Sequence, residues 1–402
     1  MAKKNRSKKK HKHFSCAGKD SKIALSGTDK KKKRPFINLF FKVALLLIII
    51  CLTFLFFKYK YHSSSNISIS KYLQAINNGQ IDHMGPYMGA RRSSKEINNW
   101  PNIEKDSKGV PLLHRKEVDR KVRHPVFIAQ RLLINAWGNG LRPEEPRWKE
   151  IRQVIEIMAT EEQREDGIFP YPFPFLAGKY KYQFPVGWGS SMAQGQLLSV
   201  MARLYASQED REQSDPKLRN YALKTMKPLE KHFKKGGLMQ WFCIPGSEEC
   251  LVWYAEYPTD PPVYTLNGYI FTLIGLYDWA RASQDEKAAK LFWDGIATLE
   301  KVLPLYDNRP VSAYDLSHYS WIKKGVPPNC KLNYHLIHIR QLEWLSKATR
   351  SKKWSCIASV WSSYISNTPS KRKSLRKQCF KYFPESYWDP VVPFDKISSQ
   401  SK

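Results

Sequence analysis

No C-x-x-C pair occurs among the seven cysteines, which stand at positions 16, 51, 243, 250, 330, 356 and 379. A structural zinc site is therefore not indicated. Zinc-finger spacing and an RRM-like signature are missing as well, which argues against a nucleic-acid partner. Acidic residues are scarce: 36 Asp and Glu face 66 Lys and Arg, a formal net charge of +30. Much of that excess lies in residues 1–35, but the remainder is still basic. A basic body without nucleic-acid motifs points to a membrane surface or an acidic polymer. The N-terminus also lacks an A-x-A-like cleavage site, which argues against a removed signal peptide.

What is present at the N-terminus is a Lys-rich tail ending in Lys30-Lys31-Lys32-Lys33-Arg34, followed by an apolar run. Residues 36–57 are about 22 positions, the length that spans a bilayer. Positive charge ahead of the span predicts a cytosolic tail and a lumenal body. Residues 58–109 read as a stem, with Asn66-Ile67-Ser68 as a glycosylation triplet. The catalytic body is expected over 110–370 and a basic C-terminal tail over 371–402.

Within the body, apolar residues recur at three- and four-residue spacing in Pro125–Trp137, Ser191–Ala206, Thr265–Ser283 and Tyr334–Ala348. Each is followed by a second helical pattern: 145–160, 218–234, 285–303 and 353–365. Ala129-Gln130, Ala193-Gln194-Gly195 and Leu266-Asn267-Gly268 introduce three of the first helices in a similar way. Four helical hairpins in succession predict a mainly α fold, an α/α barrel with short β-hairpin insertions, preceded by one transmembrane helix. An irregular helical bundle is the alternative. The alternating aromatics around Tyr180 to Phe184 predict one such hairpin. Cys243 and Cys250 flank the Pro245-Gly246 turn and either close a small disulfide loop or remain two buried thiols.

In a barrel of this kind the inner helices gather their N-terminal ends, and the loops before them, around one cleft. Four stretches fall there: Gly187 to Gln196, Glu256-Tyr257-Pro258-Thr259, Tyr314-Asp315-Leu316 and Asn333-Tyr334-His335. Glu256 and Tyr257 on a rigid turn are a pair suited to proton transfer, though the same stretch also serves as a helix entry with Pro261 and Pro262 near its first turn. Trp188 either stacks on a sugar ring or plugs the core. His335 and His338 share a helix face, but no third ligand stands at a diagnostic distance, so no metal is expected.

These stretches, with Leu303-Pro304-Leu305-Tyr306-Asp307, His318 and Tyr334-His335-x-x-His338-Ile339-x-Gln341-Leu342, resemble the glucuronyl C5-epimerases of heparan sulfate biosynthesis over roughly 125–364. The resemblance implies a single-pass, type II Golgi membrane enzyme with a lumenal catalytic domain. It would turn D-glucuronate into L-iduronate within N-sulfated heparosan, with no cofactor. It puts the catalytic roles on Glu256, Tyr257, Tyr314 and Tyr334. Trp188, Gln194, Asn267, His318, His335 and Arg340 are expected on the substrate side, and a homodimer stays open. Two departures stand out. The segment ahead of Val110 is too short for the β-rich region of animal members. Ser317 also stands where the family has Arg after Tyr-Asp-Leu, so a substrate carboxylate needs another partner, with Arg309, Arg340 and Lys323 in view.

The chemistry explains the residue types. The C5 hydrogen of a uronate lies α to a carboxylate and is weakly acidic. Inversion requires removing it on one face and returning a proton on the other. Burial beside Trp253 and Tyr254 is expected to raise Glu256, and nearby cations to lower a tyrosine. Glu256 and Tyr334 are the expected pair, with Tyr257 and Tyr314 assisting. Two rivals share these features: a polysaccharide lyase, which forms the same carbanion, and a non-catalytic binder of sulfated glycans.

Overall fold

The computed structural model describes residues 69–77, 103–137, 146–177, 182–207, 215–243, 249–320, 330–366 and 369–383. The basic tail, the span expected at 36–57 and most of the stem lie outside them, as do the 66–68 triplet and Lys323. Among the described residues no helix is long and apolar enough to cross a membrane.

The architecture is mainly helical, with short antiparallel strand pairs between the helices. Helix α1 spans Ile69–Asn77, and a small hairpin pairs β1 (Leu113–Arg115) with β2 (Arg120–Val122). Four helix pairs follow: α2 (Pro125–Trp137) with α3 (Pro146–Ile157), α4 (Ser191–Ala206) with α5 (Pro216–Met226), α6 (Leu266–Ser283) with α7 (Glu286–Val302), and later α9 (Leu332–Ala348) with α10 (Lys352–Ile365). Between them lie the pairs β3 (Phe175–Ala177) and β4 (Tyr182–Phe184), β5 (Met239–Cys243) and β6 (Cys250–Tyr254), and β7 (Asp307–Asn308) and β8 (Val311–Ser312). A short α8 (Ser317–Ser320) precedes α9, and α11 (Pro369–Cys379) closes the described chain.

The first helix of each pair packs on the first helix of the next, so α2, α4, α6 and α9 form an inner row. Their sequences explain this placement. In α6 every residue except Arg281 and Ala282 is buried, and in α4 only Tyr205 and Ala206 escape burial. A helix that is apolar on all sides belongs inside. By contrast α7 is strongly amphipathic and covers the row from outside. Caps set the starts of the outer helices. The Asp215 carboxylate accepts from the Leu218 N–H at 3.0 Å, and Asp285 accepts from Ala288 at 2.9 Å.

Two inner helices touch backbone to backbone. A Cβ placed on Gly275 would sit 1.9 Å from the Gly195 carbonyl oxygen, and one on Gly195 would sit 2.5 Å from the Thr272 Cα. Further along this crossing a buried ion pair joins Arg203 of α4 to Asp278 of α6 at 2.9 Å, with the Ser199 hydroxyl also on Asp278.

The fold adds contacts to these expectations and decides between the two stated for Cys243 and Cys250. Residues 69–77, expected as stem, form a helix docked on α6 and α7: Ile76 is fully buried, and the Trp293 indole donates to the Tyr72 carbonyl at 3.2 Å. Cys243 and Cys250 are disulfide-bonded across the β5–β6 pair. A second disulfide, Cys356–Cys379, ties α11 to α10, and Cys330 is a buried free thiol.

The glycine crossing yields a direct prediction. Gly275→Ala gains about 0.5–1 kcal/mol of helix propensity. It also forces a contact that overpacking data put at about 1–3 kcal/mol. With a clash this deep the upper end applies, so the midpoint of guanidinium unfolding should fall. An unchanged midpoint would mean that α4 and α6 separate at no cost.

Candidate active site

Strand β6 delivers its last residues to the N-terminal ends of the inner helices. The Ala255 N–H donates to the Leu238 carbonyl at 2.9 Å, and the Ala255 carbonyl accepts from the Ser191 N–H at 3.0 Å. The chain is thereby pinned at the start of α4 just before Glu256. The following turn is held by Gln240, whose side-chain amide donates to the Thr259 carbonyl at 2.7 Å. Residues 314–316 lie along the entry of α6 through Leu266 N–H to Tyr314 O at 3.1 Å and Leu316 N–H to Val263 O at 2.9 Å. Helix α9 joins through the Gln341 amide on the Asn267 carbonyl at 3.0 Å. The Tyr314 and Tyr334 rings then meet edge to face, 5.1 Å between centroids. The adjacent Glu256 and Tyr257 converge at this end of the inner row with Tyr314 and Tyr334 from distant parts of the chain.

Glu256 is 7% exposed and sits directly on Gly268, in the first turn of α6. A Cβ at position 268 would come within 2.1 Å of its Oε2. Burial pushes the carboxyl up to about 7. The Tyr257 hydroxyl and the Gly268 N–H pull against that shift, and the Asp315 charge adds to it. Desolvation thus outweighs the helix N-terminus, whose partial positive charge favours the carboxylate. Oε2 is buried and has no hydrogen-bond partner among the described residues.

Tyr257, Tyr314 and Tyr334 are half-buried. Tyr257 also hydrogen-bonds Tyr314. Burial, then the Glu256 charge, holds Tyr257 well above the usual phenol range. The same two causes raise Tyr334. The expectation that cations lower a tyrosine is therefore reversed for both. The expected rise of Glu256 by burial is found. Trp253 and Tyr254 point into the core, Trp253 stacked on Tyr269 at 3.8 Å and the Tyr254 hydroxyl on the Leu291 carbonyl at 2.8 Å.

An aromatic wall extends from the site. Trp188 is half-buried, stacked at 4.0 Å on Tyr171, with Phe184 at 4.8 Å and Tyr257 at 6.2 Å. One face of the indole is thus occupied by Tyr171. That tyrosine is not among the site residues expected from the sequence. Burial, then the Glu256 charge, raises its phenol far above the ordinary value.

The other expected substrate contacts divide. Asn267 stands beside Gly268, and its Oδ1 is buried with no hydrogen-bond partner among the described residues. His318 is partly exposed in α8, just after Asp315 accepts from the Ser317 N–H at 2.9 Å. Gln194 is instead spent on the fold. It accepts from the Phe169 N–H at 2.9 Å and donates to Gly167 and Thr225 carbonyls at 2.7 and 2.9 Å. His335 is fully buried, with Nε2 donating to the Trp361 carbonyl at 3.0 Å and Nδ1 facing Ser312. Burial lowers its pKa, so it is a neutral structural link rather than an anion ligand. His338 meets the same Ser312 hydroxyl at 2.7 Å and is pushed down to about 3. Arg340 is exposed and lies about 120° round α9 from Tyr334, away from the tyrosine pair. Arg309 lies 3.8 Å from the buried Asp307.

A buried acid held near neutrality and faced by protonated phenols, on a double row of helices, defines a general acid–base site. The profile of the D-glucuronyl C5-epimerase C-terminus matches residues 163–363. The chain belongs to this family. It is similar to the D-glucuronyl C5-epimerase of Caenorhabditis elegans, with 30% identity over 215 residues, 50% of this chain and 33% of that protein. It is also similar to an uncharacterised protein of Methanocaldococcus jannaschii, with 25% identity over 252 residues, 60% of this chain and 68% of the other. The chain thus spans about a third of the length of the nematode relative.

The Glu256 environment predicts a pH-dependent stability. The folded carboxyl holds its proton up to about 7, whereas an ordinary one releases it near 4.5. Stability from this group is complete below 4.5 and is lost as pH rises through 7, by roughly 3 kcal/mol in all. Glu256→Gln should therefore stabilise the protein increasingly from pH 5 to pH 8, read as the difference in Tm between variant and wild type. A constant difference would show that Glu256 is not raised.

Proposed function

We propose that this chain is a glucuronyl C5-epimerase that converts D-glucuronate to L-iduronate within N-sulfated heparosan, in heparan sulfate and heparin biosynthesis. The observation that carries the reading is the buried Glu256 carboxyl, pushed up to about 7 and set among half-buried tyrosines. The family match over 163–363 supports it. In its ionised form Glu256 takes the C5 proton, and the electron pair left on C5 delocalises into the uronate carboxylate. The Tyr334 hydroxyl returns a proton to C5 from the opposite face, leaving a tyrosinate that is reprotonated before the next turn. Tyr257 and Tyr314 hydrogen-bond the developing negative charge. Both transfers are redox-neutral and need no cofactor. A phenol held above its usual range is a ready donor only to a strong base, which the carbanion is.

The inner row of α2, α4, α6 and α9, covered by α3, α5, α7 and α10, is read as the arc of an α/α barrel. The two disulfides support an oxidising compartment. The body is then lumenal in the Golgi, held by a type II anchor at 36–57. Added protease should spare the body in sealed vesicles until detergent is present; digestion without detergent would reverse this orientation.

The catalytic test uses N-sulfated heparosan in heavy water. Glu256→Gln and Tyr334→Phe are nearly isosteric, and each should lower inversion about a hundredfold to ten-thousandfold. Each should also spare C5 deuterium uptake from opposite epimers, with circular dichroism as the folding control. Near wild-type inversion by either folded variant would remove that residue from the pair. An ultraviolet-absorbing unsaturated product would establish a lyase instead.

A further inference from the structure

Helix α11 carries Lys371, Arg372, Lys373, Arg376 and Lys377 in 11 residues and no acid. Like charges three and four apart destabilise a helix, so this composition is costly unless an anion meets it. The fold holds the helix in one orientation. Cys379, buried, is bonded to Cys356 of α10, and Leu375 packs on the core. At 100° per residue Arg372 and Arg376 both lie on the Cys379 side of Leu375, and Arg372 lies over the Tyr364 ring at 5.0 Å. Lys373 and Lys377 point away from Leu375, exposed, and line a shallow groove with Ser374 and Gln378. Lys371, Lys373 and Lys377 make no ion pair among the described residues.

From this arrangement we infer that α11 is an anchoring surface for a sulfated polysaccharide chain, built from none of the residues of the Glu256 site. The disulfide that holds the helix selects the occupant. It belongs to an oxidising compartment, where nucleic acid is absent. The strongly anionic membrane leaflet is the cytoplasmic one. A sulfated, carboxylated glycan is the polyanion that remains. The inference rests on the uronate-polysaccharide reading of the active site. On that reading one long chain reaches both places, and the helix raises the effective concentration of the chain at the cleft.

The test compares the full chain held in neutral phosphatidylcholine nanodiscs with the triple variant Lys371→Gln, Lys373→Gln, Lys377→Gln. The probes are long N-sulfated heparosan, an N-sulfated hexasaccharide and phosphatidylserine vesicles. The variant should bind the long chain about tenfold more weakly, and its log Kd against log salt should be shallower by roughly two. Hexasaccharide affinity and kcat for C5 exchange should be unchanged. The same long-chain loss in a protein that exchanges no C5 hydrogen would retain the anchoring surface and sink the epimerase reading alone. Unchanged long-chain affinity, or an equal loss with the hexasaccharide, would overturn the inference. So would a loss confined to the vesicles. The substituted lysines are exposed, and circular dichroism checks that the helix persists.

Discussion

Helices α4 and α6 run so close that the Gly195 and Gly275 backbones touch. Side chains at these positions would hold the helices apart, and the inner row would lose its register. The crossing also decides where β6 ends, because Ser191 at the start of α4 receives the Ala255 carbonyl. Further along the same interface Arg203 and Asp278 are buried together. A buried ion pair of this sort adds little net stability, since desolvation offsets attraction. Removing one partner would nevertheless strand the other charge. The pair therefore acts against any sliding of α4 along α6, and sliding would carry Gly268 away from Glu256.

The electrostatics of the site follow from that geometry. Glu256 is buried, and burial, more than any neighbouring charge, raises it. Its own negative charge then helps keep Tyr257 and Tyr334 protonated. The groups are thus tuned in opposite roles by mutual proximity, with no cation among the causes that shift these three. The backbone N–H of Ser317 donates to Asp315, whose charge adds to the rise of Glu256.

Much of the helical plan was legible because an apolar repeat of 3.6 is a local property. The first helices of the four pairs begin and end within a residue or two of their expected limits, for instance 191–206 and 265–283 against Leu266–Ser283. What depends on distant partners was not legible. Nothing near Cys356 announces Cys379, and nothing in Ile69–Asn77 announces the side of α7 that it covers. Gln194 and His335 looked like ligand residues because they stand at helix starts beside the cleft. Only their three-dimensional neighbours reveal side chains turned to buried backbone groups. Tyr171 lies outside the 180–184 alternation that indicated a hairpin, and nothing local marks its ring as the one stacked on Trp188.

The seat of Glu256 on Gly268 has a consequence at the level of the gene. Every missense change open to a glycine codon adds at least a Cβ, and at this position that atom would fall inside the carboxylate's own space. Even the mildest such change, to alanine, would displace the acid without altering its chemistry. A lineage could therefore silence this site in a single nucleotide step while every acid and phenol in it remained spelled out. A reader counting those acids and phenols would take such an allele for an unaltered one.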